Sequence, residues 1–297
     1  MKLRWMLYCP ERVDFSRRIV VVLHIPKTAG SALRTMIGES LGQENCLGTG
    51  PDKIGKIHPN RMHNLFWSAR ERVRNSVRES VRKAAVRARD IDSPFRRHAT
   101  ARDLEQKCMV AGHFAVGGEP RDSRTPVYLA MVRDPVDRFL SEYYFSHDLR
   151  ATWPKGMRDR HPWWTYDLDR FVDFIYSRRR WTVTNVQCRY LGGRDTFEAA
   201  RRAVDQRIFL AAPSQRLDEC VDLLRPVLNL KAKMAAKVNV GVARQRAAAP
   251  SAETLNKIKA MVRQDQLLFE YVSRTFDDLC AGNGFHAETA AVAVALP

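Results

Sequence analysis

The chain has 297 residues, of which 45 % are hydrophobic and 28 % are charged, as in an ordinary globular protein with a sizeable buried core. Its 50 Lys and Arg residues exceed its 33 Asp and Glu residues, so the formal net charge at pH 7 is +17. This excess favours anionic partners, which include nucleotides, nucleic acid, acidic glycans and anionic membrane surfaces, without choosing among them.

The six cysteines are scattered, and no two of them form a Cys-x-x-Cys pair. This spacing argues against a structural zinc site, and a chain of this length does not need a disulfide framework. The most apolar early run, residues 19–23, is far shorter than the roughly 20 residues of a membrane helix. We therefore expect a cytoplasmic protein with reduced thiols, no signal peptide and no membrane span.

Short runs of apolar residues predict four β-strands. Residues 19–25, with the sequence IVVVLHI, predict a strand that is buried on both faces and ended by Pro26. Residues 108–111, 127–132 and 208–211 predict three further strands. Because helical patterns separate these strands, we expect an α/β fold with a mostly parallel central sheet flanked by helices.

Apolar residues at helical spacing predict six helices outside residues 62–107. The first opens at Gly30 and repeats its apolar residues up to Leu41. The second begins where Asp134 can cap a helix and Pro135 can occupy its first turn, and it extends to about residue 145. The others cover residues 169–176, 196–205 and 217–228, and a long last helix follows Ser251.

Residues 62–89 predict a further helix with a narrow apolar stripe and a densely basic outer face. Between residues 61 and 97 there are eleven Lys or Arg and four Asp or Glu. We interpret residues 62–107 as a basic helical insertion within a single domain of residues 1–297, whose last residues, 285–297, form a loose tail. The basic helix is either a solvated outer face or the wall or lid of a cleft that attracts an anion.

The turn after the first predicted strand has the composition of a phosphate-binding loop. Its residues are Pro26, Lys27, Thr28, Ala29, Gly30 and Ser31. The first N–H groups of the following helix and its dipole favour an anion, Gly30 allows close approach, and Lys27 supplies charge. Thr28 and Ser31 add hydroxyl donors. Because the Lys precedes the Gly, the loop is not the nucleoside-triphosphatase pattern GxxxxGK[ST], and an ordinary strand-to-helix turn is the alternative.

Residues 24–31, HIPKTAGS, closely resemble the 5′-phosphosulfate-binding loop of carbohydrate sulfotransferases. The resemblance is to the branch that includes heparan sulfate 2-O-sulfotransferase and its bacterial relatives. It implies a fold similar to P-loop kinases, 3′-phosphoadenosine 5′-phosphosulfate (PAPS) as the donor, adenosine 3′,5′-bisphosphate (PAP) as the product, and no metal. By resemblance alone, the acceptor is a saccharide hydroxyl; a lipid-linked saccharide, a small alcohol or a tyrosine stays open.

Residues 132–144, VRDPVDRFLSEYY, resemble the 3′-phosphate motif of the same family. The resemblance assigns Arg133 and Ser141 to the 3′-phosphate, and a guanidinium offers a rigid fork of donors to such a group. A strand-end salt bridge and an ordinary helix serine are the alternatives. Residues 237–244 resemble a late loop that closes over the nucleotide, which assigns Asn239 and Arg244 to the donor site.

Sulfuryl transfer needs a base for the attacking hydroxyl and positive charge near the departing oxygen. Lys27 suits the second role. His113 suits the first because it follows a predicted strand, at the edge where open α/β sheets bind ligands, and its Gly-His-Phe setting resembles the family's catalytic histidine segment. The family pattern can carry a second histidine where this chain has Ala111. A structural role is the alternative for His113, and we interpret His24 as structural.

Two other functions compete with sulfuryl transfer. An ATP-dependent kinase or phosphotransferase would need a GK[ST] loop and a carboxylate for Mg²⁺, whereas Asp134 is better placed as a helix cap. A non-catalytic nucleic-acid binder is supported by charge, but Phe66 and Trp67 are confined to the start of the basic segment and form no repeated stacking platform. We therefore expect an enzyme without a nucleic-acid partner. The sequence does not determine its oligomeric state.

Overall fold

The computed structural model describes residues 12–48, 104–119, 122–149, 162–177, 183–231 and 249–282. The predicted basic helix at 62–89, most of the insertion at 62–107 and the tail at 285–297 lie outside these ranges, as do Asn239 and Arg244. The interpretations given for those residues therefore stay predictions.

A five-stranded sheet forms the centre of the fold, and each strand pairs in parallel with its neighbours in the order β2-β3-β1-β4-β5. The strands are β1 (Arg18–Leu23), β2 (Cys46–Leu47), β3 (Met109–Gly112), β4 (Thr125–Val132) and β5 (Ile208–Pro213). The predicted α/β fold with a parallel sheet is confirmed. The β-branched strand β1 occupies the middle of the sheet, where both of its faces are covered.

The four predicted strands are present, with two differences. β1 ends at Leu23, so His24 and Ile25 belong to the following loop, although the His24 N–H still donates to the Gly112 carbonyl at 2.9 Å. The short edge strand β2 was not expected, because two residues are too few to show a periodic pattern.

Eight α-helices surround the sheet in the described ranges. They are α1 (Gly30–Leu41), α2 (Pro135–Leu149), α3 (Leu168–Ser177), α4 (Val186–Gly192), α5 (Phe197–Gln206), α6 (Leu217–Leu228), α7 (Ala252–Met261) and α8 (Arg263–Gly282). The six predicted helices are found, but the last is divided at Val262 into α7 and α8, and α4 was not predicted. None of these helices has both the length and the apolar composition to cross a membrane.

Alternate residues of β1 pack on opposite faces of the sheet, as the two-residue period of a strand requires. Val20 and Val22 are fully buried in one cluster with side chains of α1 and α6. Val21 and Leu23 are fully buried in a second cluster with side chains of α4, α5 and α8. The sheet is therefore covered by helices on both faces.

A third apolar cluster fixes α2 against α3 and α7. Phe139 of α2 is buried there with Phe171 and Ile258. Two residues along a helix differ by about 200° in direction, so Phe139 and Asp137 lie on opposite sides of α2. Packing thus uses one side of α2 and leaves the side with Asp137 for other contacts.

The order of the strands defines where a ligand would bind. After β1 the chain crosses through α1 to β2 on one side of the sheet, whereas β4 leads to β5 on the other side. The carboxyl ends of the neighbouring strands β1 and β4 therefore flank a topological switch point, the place where open α/β sheets bind ligands. The loops that begin at residues 24 and 133 lie on its two sides.

The contact between α4 and α5 leaves no room for a side chain at Gly192. A Cβ added there would lie 2.5 Å from the Ala200 nitrogen and 2.6 Å from the Ala199 carbonyl carbon, both of them backbone atoms. We expect Gly192→Ala to lower the free energy of unfolding by about 1–3 kcal/mol, as overpacking does in a close-packed interior. Urea unfolding followed by circular dichroism measures it.

The adjacent Gly193 provides the control. It has φ of +69° and no heavy atom within 4 Å of an added Cβ. Because Asn tolerates left-handed backbone, Gly193→Asn should change the unfolding free energy much less. Equal stability of Gly192→Ala and the wild type would show that α4 and α5 are not packed this closely.

Candidate functional site

The loop between β1 and α1 has unusual backbone geometry. Lys27 and Ala29 have φ of 69° and 64°, left-handed values that are rare for residues other than glycine and disfavoured by about 1–3 kcal/mol each. Left-handed residues in a turn can direct successive N–H groups to one side, which creates a concave anion site. Strain of this kind, at the carboxyl edge of a parallel sheet, points to a functional loop.

An internal hydrogen bond stabilises the loop. The Thr28 side chain is fully buried, and its hydroxyl donates to the Ile25 carbonyl at 3.0 Å. In this structure the single proton of that hydroxyl is directed to the loop itself, and the assignment of Thr28 to the phosphate stays a prediction.

The start of α1 is suited to an anion. Its N-cap residue, Ala29, provides no side-chain hydrogen bond, and the first turn of this described helix contains no acidic residue. The first N–H groups of a helix have no partners within it and carry partial positive charge. The N-terminus of α1 therefore offers donors next to the left-handed residues of the loop.

The ring of His24 packs directly against this helix start. A Cβ added at Gly30 would lie 2.6 Å from His24 Cδ2, so glycine is required there by close approach of the imidazole. Ser31 Oγ lies 3.1 Å from His24 Nε2, within hydrogen-bonding distance. His24 thus connects the end of β1 to both Gly30 and Ser31.

His24 also stacks on the predicted base, His113. The two ring centroids are 4.2 Å apart with the rings inclined by 25°. This contact follows from the sheet, because β1 and β3 are paired with Leu23 opposite Gly112 and each histidine comes next in its chain. The sequence pattern did not show this pair, since it depends on which strands are neighbours.

The surroundings of both imidazoles favour their neutral forms. Burial lowers the pKa of His24 well below 6.5, and the charges of His113, Arg34 and Lys27 lower it further. Burial also lowers the pKa of His113, against a hydrogen bond with the His24 backbone that raises it. His113 Nδ1 is buried and has no hydrogen-bond partner among the described residues. A neutral imidazole can act as a general base once an acceptor hydroxyl reaches one of its ring nitrogens.

The loop contacts α2 at Phe145 and the residue that follows β4, Arg133, at a second point. The Lys27 ammonium lies over the ring of Phe145, 3.7 Å from its centroid. At the other end of the same residue, the Lys27 carbonyl accepts a hydrogen bond of 3.4 Å from Arg133 Nη1. The structure therefore brings Arg133, which was assigned to a phosphate, beside the loop that carries Lys27.

A side-chain amide fixes the backbone of Arg133. The Arg133 N–H donates to Gln187 Oε1 at 2.8 Å, and Gln187 Nε2 donates to the Arg133 carbonyl at 2.8 Å. The guanidinium also forms an ion pair with Asp137, at 3.6 Å between Nη2 and Oδ2. The strand-end salt bridge that was the alternative for Arg133 is therefore present. To hold a phosphate at the far end of a nucleotide, the guanidinium would exchange this contact for the ligand.

Gln187 is fixed in turn by reciprocal caps between α4 and α8. Asp265 is fully buried and accepts hydrogen bonds from the N–H groups of Gln187 and Cys188, at 3.0 and 2.8 Å. Asn185 Oδ1 accepts from the N–H groups of Gln264 and Asp265, at 3.1 and 3.3 Å. This buried network caps the start of α4. Through Gln187 it also links the backbone of Arg133 to the core.

Ser141 lies one helical turn after Asp137 and one turn before Phe145 on α2. At this four-residue spacing, the three side chains share one face of the helix. Arg133 pairs with Asp137, Lys27 contacts Phe145, and Ser141 is between them on that face. The predicted residues Lys27, Arg133 and Ser141 are thus brought to one region.

No protein-family model matches the sequence, and no curated protein matches it either. Within the described ranges, no group of three His, Cys, Asp or Glu side chains could hold a metal ion.

The histidine pair predicts a pH dependence of stability. Because folding lowers both pKa values, the unfolded chain takes up protons near pH 6.5 that the folded protein does not bind. The free energy of unfolding should therefore decrease as the pH falls below about 7. The variant His24→Gln/His113→Gln should lose less stability than the wild type over the same range.

Urea unfolding at a series of pH values measures the difference. The comparison between variant and wild type cancels the contributions of the other titrating groups, which the two proteins share. Parallel curves for both proteins would show that these imidazoles titrate normally.

Proposed function

We propose that the protein is an enzyme that transfers a sulfuryl group from PAPS to an acceptor hydroxyl, of a saccharide in the first instance. The observation that carries this proposal is the strained loop after β1, which lies beside Arg133 at the end of β4 and beside the stacked His24–His113 pair. An anion site, a second cation and a candidate base thus share one edge of the sheet. The loop sequence, which resembles a 5′-phosphosulfate-binding loop, selects the donor.

The arrangement of strands supports a fold similar to that of P-loop kinases. The loop follows the central strand of a parallel sheet in the order β2-β3-β1-β4-β5 and leads directly into α1. In this proposal the main-chain N–H groups of Lys27–Ser31, in the loop that starts at Pro26, hold the 5′-phosphosulfate together with the Lys27 ammonium. Arg133 and Ser141 hold the 3′-phosphate, and Asn239 and Arg244 close over the nucleotide.

The proposed reaction is a single in-line displacement. The acceptor oxygen attacks the sulfur of PAPS while His113 takes the proton of the hydroxyl. The bond between sulfur and the bridging phosphate oxygen breaks, and its electron pair stays on the departing PAP. The Lys27 ammonium and the N–H groups at the start of α1 stabilise the charge that develops on that oxygen.

The kinase alternative receives less support from the geometry. Asp134, the first carboxylate after β4, accepts a hydrogen bond from the Asp137 N–H at 2.9 Å and caps α2 as predicted. A carboxylate used in this way is poorly placed to hold Mg²⁺ for phosphoryl transfer. The nucleic-acid alternative depends on the basic helix, which lies outside the described residues.

Ligand-induced stabilisation separates the three functions. Thermal unfolding is measured with PAP, with Mg-ATP and with duplex DNA. A specific ligand at a hundredfold excess over its dissociation constant stabilises the folded state by about 2.7 kcal/mol. Stabilisation by PAP above the other two, together with transfer of labelled sulfate from PAPS to a panel of saccharides, supports the proposal. Stabilisation by Mg-ATP or DNA alone contradicts it.

Arg133→Ala tests whether Arg133 binds the 3′-phosphate. Loss of a hydrogen-bonded contact to a charged group should weaken PAP binding by about 1.5–3 kcal/mol. Binding of adenosine 5′-phosphate should change little, because this ligand lacks the 3′-phosphate. Isothermal titration with both nucleotides measures the two effects, and equal losses would exclude Arg133 from the 3′-phosphate site.

His113→Gln and Lys27→Ala test the chemistry. Each variant should lower turnover by about 10²–10⁴-fold, because one removes the proton acceptor and the other removes charge at the leaving group. Glutamine keeps a side chain of similar size against His24, so His113→Gln should retain PAP affinity. A folded His113→Gln protein with wild-type turnover would make His113 structural.

A further inference from the structure

The contact between Lys27 and Phe145 joins a charged group to an exposed ring. Phe145 is 45 % exposed, and within the described ranges the other large hydrophobic side chains with such exposure are Tyr176 and Leu267. The ammonium is 3.7 Å from the centroid of the Phe145 ring, which is close for a cation–π contact. The contact with the Lys27 ammonium therefore gives a local explanation for the exposure of Phe145.

Lys27 is held at both of its ends by the segment that includes α2. Its carbonyl accepts from Arg133, and its ammonium lies on Phe145. Its backbone is left-handed, and Ala29, two residues further on, is left-handed too. The ring contact thus directs the side chain of a strained residue towards α2, whereas the first N–H groups of the helix N-terminus belong to α1.

An anion at the start of α1 would compete with Phe145 for the ammonium. A hydrogen bond between two charged groups is stronger than a cation–π contact at an exposed site. The anion should therefore draw the ammonium away from the ring. The flexible four-carbon stem of lysine allows this movement without a change in the loop backbone.

We propose that Phe145 is a positioning residue that holds the Lys27 ammonium on α2 until an anion binds the β1–α1 loop and pairs with the ammonium in place of the ring. The proposal rests on the proposed function for the identity of that anion, the 5′-phosphosulfate of PAPS. It assigns to Phe145 a role in setting the affinity of the loop, because binding of the anion must break the ring contact.

Ring-current shifts report the contact directly. Lysines are reductively methylated with ¹³C, which keeps their positive charge, and Lys27→Ala identifies the Lys27 signal. Over an aromatic face, this signal should lie upfield of its position in Phe145→Leu. Phe145→Trp should keep the upfield shift, and Tyr176→Leu, which removes an equally exposed ring on α3, should leave it unchanged.

Addition of PAP, or of inorganic pyrophosphate, should move the Lys27 signal to its position in Phe145→Leu. A Lys27 signal that is not shifted upfield before addition overturns the proposal. A signal that stays upfield at saturating anion, or that neither anion moves, overturns it as well.

Affinity supplies the second measurement. Phe145→Leu should bind PAP about two- to five-fold more tightly than the wild type, because no ring contact has to be broken. In a Lys27→Ala background the same substitution should have no effect. Tighter binding in both backgrounds, or weaker binding in the single variant, overturns the proposal.

Different results would contradict the proposed function and the role of Phe145. If pyrophosphate moves the Lys27 signal but PAP does not bind, the proposed function is wrong and the role of Phe145 stands. If PAP binds and sulfuryl transfer is observed while the Lys27 signal is never shifted upfield by the ring, the function stands and the role of Phe145 is wrong.

Discussion

The parallel pairing of β1 with both of its neighbours is the constraint on which the site depends. Leu23 is opposite Gly112 of β3 and opposite Ala130 of β4, so three carboxyl ends meet at one edge. β4 continues for two residues beyond Ala130, which is about 7 Å at the rise of a strand. This extension places Arg133 beside the loop rather than beside the end of β1, within reach of the Lys27 carbonyl.

The strained loop persists because independent contacts hold it on every side. The Thr28 hydroxyl forms a hydrogen bond within the loop. The absence of a side chain at Gly30 lets His24 pack against the helix start. Arg133 holds the carbonyl of Lys27, and Arg133 is itself held by Gln187. A left-handed conformation at two residues other than glycine needs such support. The loop geometry is therefore a property of the whole edge of the sheet and not of the loop sequence alone.

The sequence was sufficient for features that local patterns determine. The apolar run of β1 reflects burial on both faces, and the Asp134-Pro135 pair marks the start of α2, where Asp134 does cap the helix. The order of motifs along the chain also placed Lys27 and Arg133 correctly at the ends of two strands. The first two of these predictions rest on apolar patterning and on helix-start chemistry, which involve residues that are close in sequence.

The features that were missed depend on contacts between distant residues. α4 has only seven residues, and its first N–H groups are capped by Asp265, 78 positions after Gln187 along the chain. The His24–His113 stack exists because β1 and β3 are neighbours, which no local pattern shows. These contacts are long-range, so single-sequence periodicity could not provide them.

The charge distribution at this edge gives the strongest physical reason to expect an anion. Burial lowers the pKa of His24, and the charges of His113, Arg34 and Lys27 lower it further, while burial also lowers the pKa of Arg34. Arg34 Nε is buried without a hydrogen-bond partner in the described part of the chain. Several positive groups close to one buried imidazole create a positive potential, which a bound anion would offset. The same anion would offset the effect of Lys27 on His24.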